Sequence, residues 1–230
     1  MSARLETLFF DIDGTLCEYG LAPNAALRRA CLGAGIDADL DHHEYYDLYK
    51  VVQAERPAAG YEEVSDEAYR RLLAAHGWGD PAMARRVAAS YRADRLASIE
   101  LYPETREVLD TLYGEYPLGI ISNGPGEIQW AKIKKFRLRP YFTTIVISGE
   151  VGTEKPEPGI FRLALERMNG VAETSAHVGD HPTADVRGAR GAGLTSIWIN
   201  RGVFTEDGGT APAPHHEIQD LRGLLPLLRG

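Results

Sequence analysis

The chain has 230 residues, of which 44% are hydrophobic, so it can bury a sizeable core as one large domain or two smaller ones. Its formal net charge of −8 and isoelectric point near 5.4 argue against a nucleic-acid-binding protein, which normally carries a basic patch. Two cysteines are too few for a disulfide framework, and no apolar run approaches the ~20 residues of a membrane span. We therefore expect a cytoplasmic protein with no nucleic-acid or membrane partner.

The first predicted element is a short buried strand, from Leu8 to Phe10, that ends in two carboxylates. Side chains at positions i and i+2 of a strand point to the same side, so Asp11 and Asp13 are expected to converge on one site. Gly14 then allows the backbone to turn sharply without a Cβ penalty. Two like charges this close are costly unless a cation or partner neutralises them, so the segment indicates chemistry rather than stability.

The region between residues 17 and 96 contains helical patterns and no convincing strand. It is therefore interpreted as an all-helical insert. Its predicted helices are Ala25 to Leu32, Asp41 to Ala54, Ser65 to Ala75 and Pro81 to Ala93.

Strands and helices alternate along the rest of the chain. Four more short apolar segments predict strands covered on both faces, as in a parallel sheet, at residues 118–121, 144–147, 176–178 and 196–199. Amphipathic stretches between and after them predict helices at residues 103–113, 125–136, 158–168, 182–192 and 217–228, and a surface loop is predicted at 206–214. The predicted fold class is α/β, with an open parallel sheet as the core (residues 1–16 and 97–230) and a helical cap (17–96).

Polar side chains follow each of the strands that line the predicted site. Ser122 and Asn123 end the second strand, Lys155 precedes a helix after the third, and Asp180 and Asp185 follow the fourth. In an open α/β sheet, ligands bind beyond the carboxyl ends of the strands. Together with the first carboxylate pair, this set suits a divalent cation with oxygen ligands beside a phosphate group.

The order and spacing of these motifs resemble those of the haloacid dehalogenase (HAD)-like hydrolase superfamily, in its phosphatase branch with a helical (C1) cap. The motifs are Asp11-Ile12-Asp13-Gly14-Thr15, Ser122-Asn123, Lys155-Pro156 and Gly179-Asp180 with Asp185. The resemblance covers the whole chain and implies a Rossmann-like core, a Mg²⁺ cofactor and a small-molecule phosphoester substrate.

The resemblance also implies roles for the residues that would carry the chemistry. Asp11 would be the nucleophile that accepts the phosphoryl group as an aspartyl phosphate. Asp13 would protonate the leaving oxygen and then serve as base for the hydrolytic water. Ser122 and the backbone at Asn123 would hold the phosphoryl oxygens, and Lys155 would neutralise charge on Asp11 and the phosphate.

A second group of residues would bind the metal or support the site. The resemblance implies that Asp180, Asp11 and the backbone carbonyl of Asp13 bind Mg²⁺. It also implies that Asp185 orients Lys155 or a metal-bound water, and that Gly14 and Thr15 maintain the turn.

Three alternatives to a phosphatase are open at this point. A 2-haloacid dehalogenase needs no acid for its leaving halide, so Asp13 disfavours it. A sugar-phosphate phosphomutase would use the same residues. A non-catalytic binding protein with this fold is disfavoured because all the acidic residues are intact.

Substrate specificity is expected to depend on the cap. Candidate contacts are Glu18 and Tyr19, just after the first motif, with Tyr46 and Lys50 in the second cap helix. On that same helix, Tyr45 and Tyr49 share a face that is expected to pack internally. The expected substrate is a nucleotide or sugar phosphate, and the expected state is a monomer or homodimer.

Overall fold

A computed structural model describes residues 4–57, 59–204 and 212–229. Most of the predicted surface loop, residues 206–211, lies outside these ranges. The chain divides into two compact units, one made of Met1–Glu18 with Glu100–Gly230 and the other of Tyr19–Ile99.

A parallel sheet forms the centre of the first unit. Within the described residues it has six strands in the order β3-β2-β1-β4-β5-β6, and each strand pairs in parallel with its neighbour. The strands are β1 (Thr7–Phe10), β2 (Leu118–Ser122), β3 (Thr144–Ile147), β4 (Ser175–Gly179), β5 (Thr195–Ile199) and β6 (His216–Ile218).

The buried strands explain why the fold class was predictable. Every residue of β1, β2, β3 and β4 is buried, as expected for a parallel sheet covered on both faces. The predicted α/β class with a Rossmann-like open parallel sheet is confirmed. The strand after β5 was not predicted, because the short segment His216-Glu217-Ile218 lacks a continuous apolar run.

Helices cover the sheet between successive strands. They are α5 (Thr105–Leu112), α6 (Gly126–Lys135), α7 (Ser148–Val151), α8 (Pro158–Met168), α9 (Gly188–Gly191) and α10 (Leu224–Arg229), with a π-helix at Pro182–Arg187. The helix predicted at 182–192 is therefore a π-helix followed by α9. The helix predicted at 217–228 was wrong in its first part, since β6 occupies that position and α10 begins at Leu224. No helix in the described ranges is long and apolar enough to cross a membrane.

One apolar cluster joins α8 to the centre of the sheet. It includes Phe9 of β1, Ile121 of β2, and Ile160 and Phe161 of α8, all fully buried. Packing here is close: a Cβ on Gly119 would lie 2.6 Å from the Phe9 ring. The cluster fixes β1 and β2, whose carboxyl ends carry Asp11 and Ser122.

The second unit is all-helical in its described part, as the sequence predicts. Its helices are α1 (Pro23–Gly33), α2 (His42–Glu55), α3 (Tyr61–Ala75) and α4 (Pro81–Ala97). Its core is rich in tyrosine: Tyr45 stacks on Tyr69 with ring centroids 4.1 Å apart, and Tyr49 and Tyr91 are also buried. The expected internal packing of Tyr45 and Tyr49 is confirmed.

Backbone hydrogen bonds close the first unit at the point where the helical segment leaves it. The amide of Glu18 donates to the carbonyl of Glu100 (2.8 Å), and the amide of Tyr102 donates to Leu16 (3.2 Å). The hydroxyl of Thr105 also donates to the Leu16 carbonyl, at 2.7 Å. The segment that leaves the first unit at Glu18 and the segment that re-enters it at Glu100 are therefore hydrogen-bonded to each other, and all the residues involved belong to the first unit.

Candidate active site

The predicted site residues of the first unit meet at the carboxyl edge of the sheet. Asp11 directly follows β1, Ser122 is the last residue of β2, and Asp180 directly follows β4. The amide of Asp11 donates to the carbonyl of Val178 (2.9 Å), so the hydrogen bonding of β1 with β4 continues as far as Asp11. Parallel pairing therefore brings together side chains that are far apart in sequence.

Lys155 lies between two buried carboxylates. Its Nζ is 2.8 Å from Oδ1 of Asp11 and 2.7 Å from Oδ1 of Asp185. Burial raises the pKa of Asp11 to about 6, although Lys155 opposes this shift. Burial also disfavours a charged lysine, but Asp11 and Asp185 outweigh it and raise the pKa of Lys155. The lysine is therefore a fixed cation in contact with Asp11.

His177 in β4 completes this chain of contacts, and sequence reasoning missed it. Its Nε2 is 2.8 Å from Oδ1 of Asp185. Burial lowers the pKa of His177, and a carboxylate can only accept, so a neutral ring must donate from Nε2. Burial alone would raise the pKa of Asp185, but Lys155 and His177 outweigh it and lower that pKa. A buried strand histidine gives no sequence signal that separates it from ordinary core.

Three carboxylates form a candidate metal centre. Ligand atoms of Asp11, Asp180 and Asp185 all lie within 4.8 Å of one another, and all three residues are buried. An all-oxygen donor set of this kind fits a hard cation such as Mg²⁺. Asp185, predicted only as a support, belongs to this cluster. The predicted contribution of the Asp13 backbone carbonyl stays a prediction.

The turn after Asp11 is compact and tied to the C-terminal part of the chain. Gly14 has φ of 74°, a conformation that favours glycine, and the amide of Cys17 returns to the carbonyl of Ile12 at 3.0 Å. Arg201, after β5, donates to the carbonyls of Gly14 and Thr15 (3.1 Å each). Sequence reasoning missed Arg201, because a loop arginine is ordinarily solvent-exposed.

The side chain of Asp13 has different partners from those of Asp11. Both of its carboxylate oxygens lie 2.6 Å from Nζ of Lys132, and Oδ2 also accepts from Nε2 of Gln129 at 3.0 Å. Both partners come from α6 and both are buried. Neither was predicted; the spacing of three residues that places them on one helix face was the available signal.

Asn123 and Ser122 are held by the framework of the site. The side-chain amide of Asn123 donates to the carbonyl of Lys155 (2.9 Å) and accepts from its amide (2.8 Å). The side chain of Asn123 is thus hydrogen-bonded to the backbone of Lys155. The predicted phosphate contact of Asn123 involves only its backbone and stays a prediction. The buried hydroxyl of Ser122 accepts from Gln129 at 3.0 Å.

The candidate specificity residues occur in two places in the sequence, Glu18 with Tyr19 and Tyr46 with Lys50. Glu18 is exposed at the end of a segment of the first unit, and Tyr19 begins the second unit. Within the second unit, Nζ of exposed Lys50 lies 4.7 Å from the ring centroid of Tyr46. Their role in substrate recognition stays a prediction.

Comparison with known proteins identifies the family. Residues 5–193 match the model of the haloacid dehalogenase-like hydrolases. The chain is 30% identical to the glyceraldehyde 3-phosphate phosphatase of Methanopyrus kandleri, over 98% of this chain and 97% of that protein. It is 35% identical to the phosphoserine phosphatase of Thermus thermophilus, over 76% and 69% of the two chains.

A solved structure supports the same assignment. The magnesium-bound HAD-hydrolase YfnB of Bacillus subtilis is 25% identical, with a TM-score of 0.70 over 99% of this chain and 100% of that chain. The protein belongs to the haloacid dehalogenase-like hydrolases and is a hydrolytic enzyme. The predicted family resemblance is confirmed.

Proposed function

We propose that this hydrolase is a Mg²⁺-dependent phosphatase that acts on a small phosphomonoester through an aspartyl-phosphate intermediate. The observation that carries the proposal is the second aspartate. Asp13 lies two residues beyond the nucleophile position and is bound by its own lysine, while the candidate metal centre uses other carboxylates. A second acid is useful when the leaving group is an oxygen that needs a proton. The phosphatase names of the two relatives support the same conclusion.

In the proposed first step, a carboxylate oxygen of Asp11 attacks the phosphorus and the bond from phosphorus to the ester oxygen breaks. The departing oxygen keeps the electron pair of that bond and takes the proton of Asp13, which is proposed to enter this step as the carboxylic acid. Lys155, in contact with Asp11, reduces the repulsion between this carboxylate and the phosphate dianion.

In the proposed second step, water attacks the phosphorus of the aspartyl phosphate and the bond to Asp11 breaks. Asp13, now a carboxylate, takes a proton from that water and returns to its starting form. The hydroxyl of Ser122 and the backbone of Asn123 are proposed to hold phosphoryl oxygens in both steps, because both lie where β2 ends.

Asp11 and Asp180, with the backbone carbonyl of Asp13, are proposed to hold Mg²⁺, and Asp185 lies close enough to contribute. When bound, the cation supplies charge neutralisation for a dianionic substrate beside several carboxylates. Thr15 and Gly14 are proposed to maintain the turn.

The proposed substrate is a nucleotide or sugar phosphate, or a similarly small phosphomonoester. The names of the relatives, with a triose phosphate and phosphoserine as substrates, support a small compound. Glu18, Tyr19, Tyr46 and Lys50 are the proposed specificity residues. A cytoplasmic location and a monomeric or homodimeric state complete the proposal.

A screen of phosphorylated metabolites, with released phosphate measured, tests this function. We expect phosphate release that requires Mg²⁺ and stops on chelation. Mg²⁺ is also expected to raise the melting temperature, because it binds the folded chain, and Asp180→Asn should remove that shift. Parallel assay of chloride release from 2-chloropropionate tests the dehalogenase alternative. Chloride release without phosphate release, or binding without turnover, would contradict the proposal.

A further inference from the structure

Helix α6 directs two buried polar side chains at the carboxylate of Asp13. Gln129 and Lys132 are three residues apart and therefore lie on the same helix face. Nζ of Lys132 is 2.6 Å from both oxygens of Asp13, and Nε2 of Gln129 is 3.0 Å from Oδ2. Helix α6 therefore supplies contacts to both oxygens of this carboxylate.

The burial of Lys132 is unusual for a helix-surface lysine. Its exposed fraction is 2%, whereas Lys134 and Lys135 in the same turn are exposed. A buried ammonium group is costly unless it is paired and hydrogen-bonded. The observed pairing is with Asp13, so the helix sequence places this cation at the site rather than in solvent.

Gln129 connects Asp13 to the residues proposed to hold the phosphate. Its Nε2 lies 3.0 Å from Oγ of Ser122 and 2.7 Å from the carbonyl of Asn123, in addition to its contact with Asp13. The side-chain amide of Gln129 therefore connects the carboxyl group of Asp13 to the residues at the end of β2. A shift in either would change the distance between the proton donor and the phosphoryl group.

We propose that Lys132 and Gln129 are positioning residues that fix the carboxyl group of Asp13 for proton transfer to the leaving oxygen. The inference rests on the phosphatase function proposed above. Lys132 keeps its protons throughout: the proton given to the leaving oxygen comes from Asp13, and the water of the second step replaces it.

The dependence of the rate on the leaving group tests this inference. An alkyl phosphate has a poor leaving group that needs the proton, while 2,4-dinitrophenyl phosphate has a stable anion that does not. The ratio kcat/KM reports the steps through formation of the aspartyl phosphate, in which Asp13 acts as acid. Lys132→Met is expected to lower kcat/KM about 100-fold for the alkyl phosphate and less than about tenfold for the dinitrophenyl ester.

Two further variants make the result decisive. Lys134→Met removes an exposed lysine from the same helix turn and should change neither substrate's rate. Gln129→Ala keeps the Lys132–Asp13 pair and should give a smaller loss with the same selectivity for the alkyl phosphate.

An equal loss on both substrates, in either Lys132→Met or Gln129→Ala, would overturn the inference, because a merely structural role does not distinguish leaving groups. If circular dichroism shows that Lys132→Met is unfolded, Gln129→Ala decides the question alone. Failure of the proposed function looks different, since the wild-type chain would then release phosphate from neither compound.

Discussion

Asp11 and Asp13 are two residues apart, but different lysines contact them. Lys155, in the loop after α7, lies 2.8 Å from Asp11, and Lys132, in α6, lies 2.6 Å from Asp13. Two acidic side chains at the end of one strand are therefore each in contact with a buried lysine. The two side chains have separate surroundings, which agrees with the separate roles proposed for them.

The nucleophilic role proposed for Asp11 predicts the effect of its loss. Asp11→Asn keeps the size of the side chain but removes the attacking carboxylate, so kcat for phosphate release should fall by at least about 10³-fold. Asp37→Asn is the matched control, because the Asp37 side chain is 86% exposed. Thermal unfolding should show that both variants are folded. Turnover close to that of the wild type in Asp11→Asn would contradict the mechanism.

At the scale of residues, the sequence identifies the side chains that directly follow strands and misses those that act from elsewhere. Asp11, Ser122 and Asp180 are recognisable because a buried apolar run ends at each of them. Lys132 and Arg201 come from a helix face and a loop, where a charged side chain normally faces water. Only the three-dimensional arrangement shows that they contact the first motif.

Among the secondary-structure elements, β2 shows how tightly the sheet and helix α8 pack. A Cβ on Gly119 would lie 2.6 Å from Cδ1 of Phe9 and 2.9 Å from Sδ of Met168. Gly119→Ala should therefore lower the free energy of unfolding by about 1–3 kcal/mol through overpacking. Urea denaturation measures this change.

The control for Gly119→Ala is Gly33→Ala, at the end of α1, where an added Cβ would have no atom of the described residues within 4 Å apart from its chain neighbours and the backbone of its own helix. It should be neutral or stabilise the protein by up to about 1 kcal/mol, because alanine favours the helix. If Gly119→Ala is as stable as the wild type, the packing around β2 can accommodate an added methyl group, which would contradict this prediction.

The second unit should lose stability in acid through His42, at the start of α2. Burial, followed by Arg95, lowers the pKa of His42 to about 4, and its ring stacks on Tyr91 at 5.6 Å. Between pH 4 and 6.5 the unfolded chain therefore binds the proton that the folded chain releases. Stability is present above this window and is lost as the pH falls through it, by on the order of 3 kcal/mol.

Thermal unfolding of His42→Phe across this pH range tests that expectation. The variant should lose less stability between pH 6.5 and 4 than the wild type, since its ring cannot take up a proton. His43→Phe, at an exposed neighbouring position, controls for the general effect of replacing a histidine of α2 by phenylalanine. Equal pH dependence in wild type and His42→Phe would contradict the assignment.

Sequence patterns predicted most elements but not the C-terminal ones. The continuous apolar runs of β1 to β5 are clear because strands buried on both faces have no polar alternation. The edge strand at residues 216–218 is only three residues long, too short for a recognisable strand pattern. The leucines that follow it favour a helix, so the predicted helix began too early, at residue 217. Short edge strands are determined by their neighbour, here β5, more than by their own residues.

The molecule as a whole contains two compact units, and each buries aromatic residues of its own. The apolar cluster around Phe9 and Phe161 belongs to the first unit, and the stacked tyrosines 45 and 69 belong to the second. The two segments of the first unit are also joined where they end and begin, by the hydrogen bond from the amide of Glu18 to the carbonyl of Glu100 (2.8 Å).

A chain in which a short Gly-Ser linker replaces residues 19–99 should therefore still fold. We expect a cooperative thermal transition and a circular-dichroism spectrum of mixed α/β type, because the bonds from Leu16 to Tyr102 and Thr105 remain. A second deletion that also removes Glu100 to Thr105 should fail to give a cooperative transition. An insoluble or non-cooperative product from the first deletion would contradict the separation of the cores.

The hydrogen bond from Glu18 to Glu100 also bears on how such an enzyme diversifies. A gene segment that codes for residues 19–99 enters and leaves the fold at adjacent points, so recombination can exchange it whole. The aspartates and lysines of the proposed reaction lie outside that segment. If residues 19–99 select the substrate as proposed, exchange of one continuous stretch of DNA would change the substrate and leave the proposed chemistry unchanged.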